Sequence, residues 1–424
     1  MAHVKRRLPE RPHLDVPKLQ ARELLAQWRA KASDAFDRIR AAHPAYRAAD
    51  AAAVSAARFR LADAQLVIAR EYSFASWAEL KLRITANAVS LALEQAVRGG
   101  DRDEIVQLLH DHPQLLHVPV RSANWGPPMS FAANLGRLDV VQAIAALGAR
   151  DHQHAFDRAL LRGNIDCARW LYEHGATVSP DSLLGPCETL DPDGLRLLVE
   201  LGAPFTDRHG NRLAPLAMVL QTYSRDPMRK REVMEILVGQ GYELPDTPIM
   251  ALHRGRVDLL DAQLRRDPRL IDRRFSYREL YPPELGCADD GRSGMHGTPL
   301  DGTTLLHLAI DFDEQAIFDL LLERGAGVDA RASVDRDGFG GHTPLFHCVV
   351  SAAYLGGLQR DAAMARALVE RGASLAARAS LRKFLDWREQ PGWHEARDVT
   401  AASWGRSFPE QDWVNPQALQ RLDG

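Results

Sequence analysis

A glycine that recurrently closes an amphipathic helical pattern limits the fold of this chain more than any other feature. It stands at Gly148, Gly175, Gly202, Gly241, Gly325 and Gly372, five times followed by alanine and once by Tyr242. A helix that ends in a left-handed residue favours glycine, because a Cβ there costs about 1 kcal/mol or more. Successive spacings are 27, 27, 39, 84 and 47 residues. An interval of 27 holds two short helices but no projecting hairpin, so residues 150–205 are predicted to stack as bare helix pairs. The interval of 84 conceals a further pair at 247–272, which ends in Asp267-Pro268. Residues 91–116 end alike at His112-Pro113, and proline stops the helix in both. Both segments read as openings of an array. They predict two sub-arrays, 88–246 and 247–424, although plain degenerate repeats fit equally well.

The most regular stretch runs from Asp301 to Phe346. Thr304 is placed to cap a helix whose Leu305, Leu306 and Ala309 face its neighbours. A second apolar pattern follows at 315–322, and the opening returns as His342-Thr343-Pro344-Leu345. These runs resemble the T-P-L-H-x-A signature of the ankyrin repeat. The resemblance implies an all-α ankyrin-repeat solenoid of eight or nine helix-turn-helix repeats with uneven β-hairpin fingers. It also implies binding of protein partners through the fingers and the inner helices. His307 and His347 occupy the signature histidine position, where the family's histidine bonds backbone across a neighbouring turn.

The first 87 residues form a separate helical leader. Pro9, Pro12 and Pro17 make residues 1–17 an extended or disordered lead. Leu19, Leu24, Leu25 and Trp28 then share one helical face, and a second helix is predicted over 34–42, with Ser33 as its cap. Residues 61–80 read as helix, turn and helix. Ser76 and Glu79 form a capping box there, and Trp77 and Leu80 point inward. The run 63–80 resembles the leader of a group of bacterial ankyrin-repeat proteins, and 304–314, 334–346 and the ending 397–422 resemble the same group. Residues 1–85 hold 16 Lys/Arg against 9 Asp/Glu, although the whole chain carries a net charge of only −3. That local excess permits a nucleic-acid-associated regulator acting through the basic N-terminal helices. A helical cap over the first repeat is the simpler expectation, and nucleic acid is not the expected partner.

Two insertions interrupt the array. Residues 273–300 form a loop of nearly thirty residues carrying Tyr277, Tyr281, Pro282, Pro283, Asp289, Asp290 and His296. Loops of this length are functional or disordered, and aromatic residues on a projecting loop suit a partner interface. The second insertion lengthens the finger after Gly325 and includes Asp335, Arg336, Asp337, Phe339 and His342. Asp335, Asp337 and His342 invite a metal, but a calcium loop needs further ligands that this run lacks. Gly338, Gly340 and Gly341 fit an extended hairpin turn instead. Extra length at Gly356-Gly357 separates the helices of the next repeat. Beyond it, Trp387, Trp393, Trp404 and Trp413 suit a terminal cap. Val399-Thr400-Ala401 opens its first helix, and 416–422 forms its second.

No nucleophile elbow, phosphate loop or zinc-protease motif is present, and His110, His112 and His117 lack ligand spacing. Cys167, Cys187, Cys287 and Cys348 include no CxxC pair and read as buried free thiols. No secretory leader or membrane-length apolar run occurs, so a cytoplasmic location is expected. The reading is a non-catalytic protein–protein interaction scaffold with no cofactor and an unidentified protein partner. Contacts are expected at Tyr277, Tyr281, Arg336, Phe339 and His342. An enzyme with a site in 273–300 is the remaining alternative.

Overall fold

The structure, a computed structural model, describes residues 6, 8–9, 12–120, 124–288, 297–354, 361–385, 392–408 and 413–422. It divides into two compact units. The first comprises residues 1–132 and 137–151, and the second comprises 133–136 and 152–424.

The first unit begins with four helices: α1 Asp15–Arg29, α2 Ser33–Ala42, α3 Ala51–Ala56 and α4 Leu61–Glu71. Leu24, Phe36, Ile39, Val54, Val67 and Ile68 bury their side chains together, so the leader has a core of its own. Two residues of the lead touch the helices: the Arg6 N–H donates to the Glu71 carbonyl at 2.8 Å, and Leu8 packs near Leu80 and Ile84. Pro17 is tolerated inside α1 because it lies in the first turn, where N–H groups have no helical partner. Ser33 is the first residue of α2 rather than its cap. Glu71, 4% exposed, accepts both ends of the Arg38 fork at 2.8 and 2.9 Å. Basic residues of the leader are thus partly engaged in holding it together.

Ser76 accepts the Glu79 N–H at 3.2 Å and opens α5, Trp77–Gly99. Glu79 returns to the N–H of Ala75 rather than to that of Ser76. Leu80 is buried and Trp77 partly so. This helix passes without a break through residue 87, where the leader was expected to end, and pairs with α6 Arg102–Asp111. Helix α7, Pro128–Asn134, crosses the division between the units, and α8, Leu138–Ala146, packs on α6.

The second unit repeats one motif, a pair of short helices, joined by a tight turn in several of the pairs. The pairs are α9 His152–Leu160 with α10 Ile165–Glu173, and α11 Leu184–Thr189 with α12 Pro192–Glu200. Next come α13 Ala214–Gln221 with α14 Pro227–Gly239, and α15 Pro248–His253 with α16 Val257–Arg266. After the short α17 Tyr277–Leu280 follow α18 Leu305–Asp311 with α19 Gln315–Glu323, and α20 Pro344–Val349 with α21 Ala363–Glu370. The last pair is α22 Ala401–Arg406 with α23 Pro416–Arg421. First helices stack on first helices, α11 on α9 and α20 on α18. Second helices follow the same rule, as with α12 on α10 and α23 on α21. This stacking buries the apolar stripe that a lone pair would expose.

The turn inside a pair has a fixed register. A left-handed residue stands two positions before the second helix at Gly100, Gly136, Gly163, Leu190, Gly255 and Asp313. Gly356 and Gly357 lie outside the described residues.

The first insertion is a built strap. Phe275 pairs with Thr303, Tyr277 N–H donates to Asp301, and Gln221 exchanges hydrogen bonds with Ala288 at 2.9 and 3.1 Å. Tyr277, Leu280, Tyr281, Leu285 and Cys287 are all buried. Asp289, Asp290 and His296 lie outside the described residues.

A two-stranded antiparallel hairpin precedes the last pair: β1 Ala379–Leu385 and β2 Gly392–Val399. It separates the tryptophans. Trp404 and Trp413 are buried, whereas Trp393 stands 47% exposed on β2, and Trp387 lies outside the described residues. Trp404 donates to Thr298 at 3.2 Å and closes the core of the final pair.

Candidate functional site

Three polar constellations lie in the second unit, and their geometry separates structural chemistry from available surface.

The first is a histidine ladder. Thr304 caps α18, and its hydroxyl lies 2.8 Å from His307 Nδ1. His307 Nε2 then donates to the His342 carbonyl at 3.2 Å, the backbone bond across a neighbouring turn that the resemblance implied. His342 Nε2 donates to the Pro299 carbonyl at 3.0 Å. His347 Nδ1 faces the Asp311 carboxylate at 3.4 Å. The three rings lie 5.3–5.6 Å apart and are buried. Burial and the neighbouring His347 ring push His307 and His342 well below the usual histidine range, so both rings are neutral.

The second is a buried ionic cluster that the sequence reading missed. Arg225 and Asp311 lie 86 positions apart, and their side chains are 1% and 0% exposed. Arg225 Nη2 donates to the Asp311 carboxylate at 3.1 Å, Nε to the Asp311 carbonyl at 3.1 Å, and Nη1 to the Thr222 carbonyl at 2.6 Å. Its guanidinium lies 4.4 Å from the Phe312 ring centroid. Beside it, Lys230 Nζ donates to His253 Nδ1 at 2.9 Å, and His253 Nε2 donates to the Leu280 carbonyl at 2.9 Å. That arrangement requires a neutral imidazole. Burial, followed by Lys230, pushes His253 well below its ordinary range. Burial and Arg225 bring Lys230 down to about 7. Burial raises Glu314 to about 7 against the pull of Lys230 and Arg231. The cluster leaves no room for a water-sized guest and binds the strap and the helix pairs together.

These shifts carry a pH prediction. His253, His307 and His342 take up protons mainly in the unfolded chain, so stability rises as pH climbs through about 6.5. Glu314 and Asp313, both raised to about 7, bind protons in the folded chain over a range where the unfolded chain has released them. Their contribution falls as pH rises from about 4.5 to 7. Glu314→Gln removes one opposing slope. Its urea midpoint is expected to gain more between pH 5 and 7.5 than the wild-type midpoint does, as measured by circular dichroism.

The third constellation is the finger with the hairpin beside it. Gly340 joins them: its N–H donates to the Ser380 carbonyl at 2.6 Å, and it bridges Val334. Its φ of +122° and a Ser333 carbonyl 1.9 Å from any Cβ admit only glycine. Arg382 of β1 donates to Asp335 and to Asp337, each at 2.8 Å. It also lies over the rings of Phe339 and Trp393, at 4.7 and 5.3 Å, and Arg397 covers Phe339 at 4.1 Å. Val334, 61% exposed, Arg336 and Trp393 stand outward on this framework.

The expected contact residues therefore separate. Arg336 is exposed. Tyr277 and Tyr281 do not project as expected, because the strap turns both rings into the core, against each other and, for Tyr281, against His253. Phe339 is 5% exposed beneath two arginines, and His342 is 1% exposed in the histidine ladder. These four side chains are buried, and Arg336 lies on the finger's surface. Asp335 and Asp337 are bound by Arg382, while His342 is held at Pro299. Among the described residues no group of three or more His, Cys, Asp or Glu is arranged to hold a metal.

Sequence alternation over 379–399 marks the missed hairpin: Ala379, Leu381, Lys383 and Leu385 point inward, and Trp393, Glu395 and Arg397 outward. The lysine at an inward position hides the pattern. Its ammonium lies 5.1 Å from the Trp413 ring.

No curated protein matches the chain. Among solved structures, the human ASB11 ankyrin repeat domain is similar at 21% identity over 70% of this chain and 98% of its own, with a TM-score of 0.24. The Ankyrin repeat family model matches residues 301–333. That segment contains α18, α19 and the turn closed by Gly325, the unit on which the neighbouring helix pairs stack in register. The fold of the second unit is a mostly helical array of such pairs, and the pair within residues 301–333 is the one that matches the ankyrin-repeat model.

Proposed function

We propose that the second unit is a non-catalytic protein-binding scaffold whose contact surface is the finger and hairpin around Val334, Arg336 and Trp393. One observation carries this reading: two large apolar side chains, 61% and 47% exposed, flank arginines held over aromatic rings. Tryptophan and arginine are the side chains that most often dominate binding energy at interfaces. Here the framework is rigid before a partner arrives, which lowers the ordering cost of binding. Ankyrin repeats generally serve protein–protein interaction, and this reading extends that role to a named surface. Among the described residues no helix is long and apolar enough to cross a membrane. The four buried cysteines, all unbridged, fit a reducing compartment and support a cytoplasmic location.

The test is photo-crosslinking in the cell that makes the chain. With p-benzoylphenylalanine in place of Arg336, a discrete adduct with another protein is expected. The same probe at Met228, 74% exposed on α14, is expected to give none. Equal adducts at both positions, or none at 336, would discard the surface.

A further inference from the structure

The stacking of the second unit lapses at one place. Helices α9, α11 and α13 stack in turn, and α10, α12 and α14 do the same beside them. Farther along, α15, α18, α20 and α22 stack in turn, with α16 on α19. Between these two stacks, among the described residues, neither α13 nor α14 packs closely on α15 or α16. Residues 240–247, with Gly241 and Pro245, carry the chain across.

Polar side chains close this joint. Arg231 Nη2 donates to the Gly255 carbonyl at 2.7 Å, and Arg254 Nη2 donates to the Glu235 carboxylate at 2.7 Å. Arg225 and Lys230 reach from the first stack to Asp311 and His253 of the second. The strap ties the stacks as well. Its first half belongs to the second stack, through Phe275 at Thr303 and Leu280 at His253. Past Pro282 and Pro283 it lies on the first stack. A Cβ on Gly286 would stand 2.8 Å from that of Leu213, and Ala288 exchanges its hydrogen bonds with Gln221.

Helices stacked on apolar stripes part only by exposing those stripes to water, at about 25 cal/mol for each Å². Hydrogen bonds and ion pairs exchange for bonds to water at a much smaller net cost. A joint without helix-on-helix packing is therefore where the array bends most easily, in the manner of two bodies turning on a short connection.

We infer that the joint between α14 and α15 is a hinge, latched by the strap and by the polar side chains that cross it. The stacks α9–α14 and α15–α23 turn against each other as rigid bodies when the latch opens. The finger and hairpin belong to the second stack, so a turn of the hinge changes their angle to the first.

The test is pulsed electron–electron double resonance on the full chain, with nitroxides carried by p-acetylphenylalanine at exposed positions. Glu173 on α10 and Asp319 on α19 span the joint. Glu173 with Glu232 reports on the first stack alone, and Arg266 with Glu370 on the second alone. Two variants open the latch. Gln221→Ala with Arg231→Ala removes bonds at the rim of the joint, and Arg225→Met with Asp311→Leu removes the buried pair without leaving a charge unpaired. The wild-type chain should give one narrow distance for each pair of labels. In at least one variant the 173–319 distribution should at least double in width, while both within-stack distributions keep the wild-type width. A wild-type width at 173–319 in both variants, or broadening shared by the within-stack pairs, would overturn the hinge.

Discussion

Arg225→Ala is expected to destabilise the second unit by about 3–5 kcal/mol, the usual cost of leaving one partner of a buried ion pair uncompensated. The side chain reaches the Asp311 carboxylate, the Asp311 carbonyl and the Thr222 carbonyl from a site that is 1% exposed. After truncation, Asp311 would keep the Ser351 hydroxyl at 3.2 Å and the His347 ring at 3.4 Å, but no guanidinium to balance its charge. Phe312 would lose one of the cations over its ring and keep Lys230 at 4.6 Å. The pair joins the segment before α14 to the end of α18, and so spans the position near 246 where two sub-arrays were expected. Its loss should therefore loosen both sides together. Urea unfolding followed by circular dichroism tests this. A single transition displaced by several kcal/mol is predicted, and a loss below about 1 kcal/mol would contradict the clamp. Arg225→Met with Asp311→Leu should cost less than Arg225→Ala alone, because no buried charge is then left unpaired.

Local chemistry explains why the helix pairs were legible in the sequence. Gly148, Gly175 and Gly325 close helices by their own backbone freedom, and the runs at 303–309 and 342–347 specify helix starts within a few residues. The capping contact of Ser76 was readable for the same reason. What escaped depends on distance along the chain. Nothing near Arg225 announces a partner 86 positions away, although Asp311 stood as a signal, an acid at the end of the apolar run from Leu305 to Phe312. The tyrosines of the strap escaped for a different reason. A tyrosine suits a core and an interface equally well, so Tyr277 and Tyr281 could be placed only by knowing which way the strap lies. In the finger, loop length marked an insertion but not which side chains face out of it: Phe339 and His342 are its foundations and Arg336 its exposed face.

Trp393 is the strongest element of that exposed face. It is paired with Phe384 across the hairpin at a ring separation of 5.4 Å, is covered on one side by Arg382, and is 47% exposed. A tryptophan half-buried before binding keeps its orientation and has area left to bury. Interface anchors of this kind cost about 2 kcal/mol or more on truncation, roughly thirtyfold in affinity. Little stability should be lost, because β1 still packs through Leu381 and Leu385. The most direct measurement is therefore the affinity of Trp393→Ala for the protein captured through position 336, by titration calorimetry beside the wild-type chain. The structure predicts a loss of about thirtyfold or more with an unchanged melting temperature. An affinity equal to wild type would contradict the assignment of this surface.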